Sequence, residues 1–397
     1  MLRVLTSGES HGPFLSFILE GLPAGLRVDV NFVNRELSRR QRGYGRGERM
    51  NIESDSVEFV GGLRRGVTLG SPLCGLIRNA DHENWKAVMA PHPTGESAEN
   101  SRATNRELYT PRPGHADLAG SVKYGFVDAR NVLERASARE TAARVAAGAV
   151  CKLLLAEFGI RVYSHVIGIG KVSAGISSEQ ALACYDAIEE SPVRCGDPSA
   201  AAEMIKEIET ARSEGDSVGG VFEIIATGVP AGLGSYVHFD RRLDAAVAGS
   251  VMSVPGVKGV EFGAGFRAAS MRGSEVHDEI EPSDTDPRGY RRLSNNAGGI
   301  EGGVSNGEPI VVRVAMKPIP TLRKPLRTID VLTRTSVVAG YERSDVCAVP
   351  AASVVCEAMV ALELAKALVE KYGGDSIDEM KAHMQCWQVR LPFSREV

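Results

Sequence analysis

Near its start the chain carries a glycine-flanked turn sequence, Gly8-Glu9-Ser10-His11-Gly12, whose residue types suit two kinds of chemistry. Its Gly-x-Ser-x-Gly spacing is that of a nucleophile elbow, in which a strained strand-to-helix turn exposes a serine hydroxyl. Here one short strand-like segment precedes Ser10, and Gly12-Pro13 leads into another apolar strand-like run rather than a helix. The second use of such a turn is proton transfer by His11 beside a bound ligand, since an imidazole titrates near neutral pH. The third reading is an ordinary glycine turn whose Ser10 and His11 only satisfy backbone groups. His115, in Arg112-Pro113-Gly114-His115, is a second loop imidazole fit for proton transfer. Neither histidine sits in an H-x-x-E-H or H-x-E pattern, so the sequence supports no metal site.

Anion-binding chemistry is the other theme. Arg35, Arg39, Arg40, Arg42, Arg46 and Arg49 crowd one stretch and alternate with Gly43, Gly45 and Gly47. Guanidinium forks grip carboxylates and phosphates bidentately, and glycines let the backbone approach a ligand. A solvated basic loop is the plainest alternative, and a nucleic-acid module is another. Arg135, Ser137 and Arg139 stand at the start of an alanine-rich helical pattern, where free N–H groups suit an anion. Asn295–Pro309 is dense in Gly and Asn and fits either an ordinary loop or a flat ring against backbone. Lys317, Arg323 and Lys324 punctuate a proline-pinned strand exit, and Arg343 and Asp345 precede the last long helix, where Ser344 or Asp345 could equally be a cap.

The elements that must hold these residues are mixed. Apolar positions predict helices over 138–158, 178–190, 198–213, 240–252 and 351–372, the last opened by Pro350 and closed by Gly373-Gly374. Strands are expected within 2–33, over 57–78, and in the stretches beginning at Gly220 and Glu308. Without steady β-α-β alternation the pattern predicts α+β. Residues 79–118 show little periodicity and read as a lid or binding loop. Residues 375–397 read as a loosely attached tail after a single domain over 1–374. The 397 residues are 43% hydrophobic and 24% charged with net charge −4, which speaks against whole-surface attraction to nucleic acid. Seven scattered cysteines without a C-x-x-C pair fit a reducing compartment. With no leader-like segment and no apolar run of membrane length, the expected location is cytoplasmic.

The ordered set "TSGESHG", "RRQRGYGRGERMNIESD", "RPGHADLAG", "RASARETAARVAAGA", "VKGVEFGAGF", "GGIEGGVSNG", "KPIPTL" and "ERSDVCAVPAASVV" resembles the chorismate synthase family over most of the chain. The resemblance implies that family's α+β fold, helices sandwiched between antiparallel sheets, and usually a homotetramer. It implies a carbon–oxygen lyase of the shikimate pathway, which eliminates phosphate from 5-enolpyruvylshikimate 3-phosphate in a 1,4-anti sense to give chorismate, with reduced FMN as cofactor. By the same resemblance Arg40, Arg46, Arg49, Arg139 and Arg343 would hold the polyanionic substrate near Ser10. His11 would protonate the departing phosphate, His115 the reduced flavin, and Asp345 would assist removal of the ring proton. Contacts to FMN would come from Arg135, Ala136, Ser137, Gly302, Lys317, Pro318, Ile319, Pro320, Thr321 and Arg343. Arg40 and Arg46 also fall where members bind NADP(H), which leaves open whether the protein reduces its own flavin. This chain departs from the family at Pro255-Gly256, where many members carry an amide, so a flavin contact there would be made by backbone.

Overall fold

The computed structural model describes residues 2–47, 54–92, 107–340 and 344–389. Its main strands, in chain order, are β1 (Arg3–Ser7), β2 (Phe14–Glu20), β3 (Val57–Gly61), β4 (Leu73–Arg78), β5 (Arg161–Ile169), β6 (Val172–Ser173), β7 (Gly220–Thr227), β8 (Val257–Phe262) and β9 (Ile310–Met316). Its main helices are α1 (Val30–Gln41), α2 (Asp117–Tyr124), α3 (Arg130–Ala136), α4 (Thr141–Ala156), α5 (Ser178–Ala183), α6 (Tyr185–Glu190), α7 (Pro198–Ser213), α8 (Leu243–Met252), α9 (Val349–Tyr372) and α10 (Ile377–Val389).

Two antiparallel sheets enclose the long helices. One sheet has the order β1-β2-β4-β3 and the other β8-β9-β7-β5-β6. The first follows a period of two: Leu15, Phe17 and Leu19 of β2 are buried, while Leu5 and Ile18 face out. Helix α4 packs against β2 and β4, α9 against β5 and β7, and the two helices against each other, giving sheet, helices, sheet. Small residues set that helix contact. A Cβ on Gly148 would stand 2.6 Å from both the Cβ and the carbonyl oxygen of Ala358, so only glycine permits the approach. The sandwich expected from the family resemblance is the fold observed.

Several elements differ from the sequence expectation. The arginine-rich stretch begins as a helix, α1, because the Asp29 side chain accepts from Asn31 N at 2.9 Å and caps it. The helix expected over 178–190 is two short ones that meet at Cys184, whose φ of −113° and ψ of 25° leave the helical region. The helix expected from 240 starts at Leu243 after a 3-10 turn. Helix α7 matches its expected span, with Asp197 capping it and Pro198 in its first turn. The start of the expected tail is instead α10, anchored by buried Ile377 and Met380 and by Ile377 N donating to Ala24 O at 3.0 Å.

Candidate active site

A cavity of about 440 Å³ opens where the Ser10–His11 turn, the C-terminal end of α1, the start of α4, the end of β9 and the start of α9 converge. Its apolar wall comes from Leu133, Val254, Met316, Ala348, Ala351, Ala352 and Val355, and its polar rim from histidines, arginines and lysines.

The Ser10–His11 turn is held from all sides. Gly8 has φ +103°, and a Cβ there would meet Phe14 O at 2.3 Å, so the bend requires glycine. Ser10 N donates to Glu134 O at 2.9 Å, Asn79 Nδ2 to Gly12 O at 2.7 Å, and Arg135 reaches Gly8 O and Thr6 O, both at 3.0 Å. His11 Nδ1 lies 2.9 Å from both carboxylate oxygens of Glu134, and His11 N donates to Oε2 at 2.9 Å. The imidazole stacks on Trp85 with ring centroids 3.8 Å apart. With Nδ1 committed to Glu134, Nε2 is the ring nitrogen left for a ligand. Burial alone would raise the Glu134 carboxyl, but hydrogen bonds and charge from His11 outweigh it and hold it below the usual range. The nucleophile-elbow reading fails here: β2 rather than a helix follows the turn, His11 turns to Glu134, and Ser10 Oγ accepts from Ser137 Oγ at 3.1 Å.

His115 faces the same cavity with its own carboxylate. Its Nδ1 is 2.5 Å from Asp117 Oδ1 and 3.1 Å from Arg112 Nη2. The shorter contact decides the tautomer: Nδ1–H donates to Asp117, so the Arg112 proton has no lone pair to meet there. Arg112 instead binds Asp117 through N at 3.1 Å and Nε at 2.8 Å, and Thr321 Oγ1 through Nη1 at 3.1 Å. Burial would raise the Asp117 carboxyl, yet His115 and Arg112 together push it far below its ordinary value.

The cationic residues divide by partner. Arg40 reaches Thr141 Oγ1 at 3.0 Å and Ala138 O at 2.9 Å, while its buried Nη1 makes no hydrogen bond and stands 3.5 Å from Asp55. Burial lowers the Arg40 guanidinium to about 10 despite the nearby Asp55. Arg139 pairs with Asp55 at 2.6 Å and with Asn79 at 2.8 Å. Arg46 Nη1 donates to Asp345 Oδ2 at 2.7 Å, and Gly47 N to Oδ1 at 2.7 Å. That pair, with Thr321 and Ser344, also borders an adjoining cavity of about 490 Å³ that reaches Arg212 and Arg323. Lys317, whose Nζ donates to Gly114 O next to His115, and Lys258 also line the cavity, and neither has a carboxylate partner among the described residues. Burial and then the charge of Lys258 lower the Lys317 ammonium.

Ser10, His11, Arg40, Arg46, His115, Ala136, Ser137, Arg139, Pro255, Gly256, Lys317, Pro318, Ile319, Pro320, Thr321 and Asp345 thus come together on one cavity. Arg135 and Gly302 do not line it in this chain. Arg135 is spent on the backbone of β1 and the turn after it, and Gly302 is the exposed tip of the tight hairpin pairing Ile300–Glu301 with Val304–Ser305. The paired glycines of that stretch serve a two-residue turn, with φ +60° and +86° at Gly302 and Gly303. Arg49 and Arg343 lie outside the described residues. Of the other α1 arginines, Arg35 pairs with Asp29 on the surface, and Arg39 is buried among Glu36, Glu189 and Glu357. Sequence reasoning passed over Glu134, Asp117, Arg112, Asp55, Trp85 and Lys258. Glu134, Asp117, Arg112, Asp55 and Lys258 stand in or beside the quoted motifs, but the partner of His11 lies 123 residues away.

The described residues hold no cluster of His, Cys, Asp and Glu suited to a metal ion, and none of their helices is long and apolar enough to cross a membrane. The family model for chorismate synthase matches residues 2–369. A chorismate synthase of Desulforudis audaxviator (strain MP104C) is 57% identical over 395 residues, spanning 100% of this chain and 99% of that protein. One from Geobacillus kaustophilus (strain HTA426) is 55% identical over 385 residues, spanning 97% and 98%. A crystal structure of chorismate synthase matches with a TM-score of 0.78 at 44% identity, over 98% of this chain and 97% of that one. The chain belongs to the chorismate synthase family.

Proposed function

We propose that the cavity between His11 and His115 is where this lyase eliminates phosphate from 5-enolpyruvylshikimate 3-phosphate, with reduced FMN beside the substrate. The observation that carries this reading is the pair of histidine–carboxylate units facing one cavity whose rim is cationic. The residues fit both ligands. An apolar wall suits a flat ring system, while Lys258 and Lys317, without carboxylate partners among the described residues, suit a phosphate. The backbone of Pro255-Gly256 and the 317–321 segment, with Ala136 and Ser137, would hold the flavin; Arg135 and Gly302 would reach it only indirectly or from another subunit of a homotetramer. When bound, the reduced flavin supplies electron density that weakens the allylic C–O bond.

The chain's own groups do the rest. Arg40 offers its unsatisfied Nη1 to a substrate anion, and Arg46, Arg139 and Ser10 complete that wall, with Arg49 and Arg343 proposed to join them. Holding the anion positions the leaving group and stabilises the charge that develops on it. His11 gives a proton to the departing phosphate through Nε2, and His115 holds a proton at the opposite rim for the flavin. Asp345, held by Arg46 and Gly47 N, assists loss of the ring proton. Arg40 and Arg46 are proposed to meet NADP(H) as well, in a cytoplasmic protein. The deciding experiment is anaerobic: with photoreduced FMN the purified protein turns the enolpyruvyl substrate into a conjugated diene and inorganic phosphate. Absence of both products overturns the assignment of the cavity.

A further inference from the structure

We propose that Glu134 is a positioning residue that decides which nitrogen of His11 surrenders its proton; the proposal rests on the elimination reading given above. The Glu134 side chain is 2% exposed, and it is fixed to the Ser10–His11 turn by three contacts of different kinds. Its backbone carbonyl accepts from Ser10 N, Oε2 accepts from His11 N, and both oxygens lie at hydrogen-bond distance from Nδ1. Trp85 stacks on the ring, so the imidazole has neither the hydrogen bonds nor the room of a freely rotating side chain. Among the described residues, Arg130 stands 3.5 Å from Glu134 Oε1, His82 Nδ1 lies 3.0 Å from His11 O, and Asp81 accepts from Nε1 of the stacked Trp85 at 3.1 Å.

A protonated His11 has two N–H groups, and the carboxylate keeps one of them. As the substrate C–O bond breaks, its electron pair leaves with the phosphate oxygen and the Nε2 proton moves to that oxygen. His11 remains neutral with its proton on Nδ1, Glu134 remains ionised, and the vacated Nε2 lone pair takes a proton from solvent before the next turnover. Without Glu134 the neutral ring would divide between its two tautomers, and the protonated ring would no longer be held with Nε2–H turned to the ligand.

Glu134→Gln keeps the shape and an acceptor oxygen but removes the charge, so kcat should fall roughly tenfold, the low end of a proton-transfer contribution, while KM, FMN affinity and thermal midpoint stay near wild type. A wild-type kcat in Glu134→Gln overturns the proposal, as does a parallel loss of kcat, KM and thermal midpoint, which marks a merely structural group. The independent readout is nitrogen-15 NMR of the histidines, with the His11 signal identified by its loss in His11→Asn. At alkaline pH the wild-type ring should be the Nδ1–H tautomer, and Glu134→Ala should show a mixture. A wild-type Nε2–H tautomer overturns the assignment whether or not the protein turns over. If Glu134→Ala does not fold, the wild-type spectrum and Glu134→Gln kinetics decide alone. Should wild-type enzyme produce no diene, the elimination reading falls, and the tautomer still tests the role of Glu134.

Discussion

The two histidine–carboxylate pairs on the cavity are assembled at opposite ranges of the chain. His115 and Asp117 are two residues apart at the start of α2, whereas His11 and Glu134 are 123 apart and meet only when the first sheet docks on α3. The local pair is also a structural staple, because Asp117 neutralises Arg112, which in turn ties the 112–115 turn to Thr321. The long-range pair has one main business, the orientation of a ring already stacked on Trp85. Burial of the two carboxylates is similar, so the difference lies in what each neutralises. Asp117 binds the buried Arg112 guanidinium at 2.8 Å and so carries stability, whereas Glu134 meets Arg130 only at 3.5 Å, gives its short contacts to the imidazole and so carries geometry.

Breaking the pairs at their most sensitive points should separate these duties. His11→Ala should lower kcat by about 10²–10⁴-fold, the range of a lost general acid, with FMN affinity measured by fluorescence titration nearly intact. Unchanged turnover removes His11 from the chemistry. Asp117→Asn should act chiefly on stability, by about 3 kcal/mol in urea unfolding, because it leaves the Arg112 charge buried without its partner. If Asp117→Asn unfolds at the wild-type midpoint, the staple is not one. Arg135→Ala removes contacts to Thr6 and Gly8 and should cost about 1 kcal/mol, with kcat lowered a few-fold through the loosened His11 turn. A fall in FMN affinity larger than that in kcat would instead place Arg135 in flavin binding.

The contrast in range also explains what could be read in advance. Ala138–Phe158 and Ala351–Tyr372 announce themselves by apolar spacing, the first with a face wide enough for burial on more than one side, while the sandwich itself is implied only by the family resemblance. Both catalytic histidine candidates stand in short glycine-bounded motifs, so their types and neighbours marked them. Asp117 is within reach of the same motif, but nothing in a linear pattern says that Glu134 belongs to His11. The α1 arginines show the opposite failure. Composition lumps Arg35, Arg39 and Arg40 together, yet a helix turns successive residues about 100° apart, sending Arg39 into a buried ion cluster and Arg40 to the cavity. Residue identity marked the chemistry, and only the helical rotation sorted it.

Acid sensitivity gives the finest test of the comparison. Both carboxyls sit below their ordinary values: for each, burial works the other way and is outweighed, by His11 at Glu134 and by His115 with Arg112 at Asp117. A carboxyl depressed in the folded state adds stability that is fully present above its unfolded value, roughly 4 for either type. That stability is lost as pH falls through the folded value, because the unfolded chain takes up the proton first. With both of its cationic partners in close hydrogen bonds, Asp117 is held further down than Glu134, whose second cation, Arg130, stands at 3.5 Å, so its contribution must survive to lower pH. Urea midpoints measured from pH 6 downward should therefore show the small gap between wild type and Glu134→Gln closing first, with the larger gap to Asp117→Asn persisting below it. If the Asp117→Asn gap closes first, Arg112 is not held by Asp117 in solution, and the division between a stabilising pair and an orienting pair falls with it.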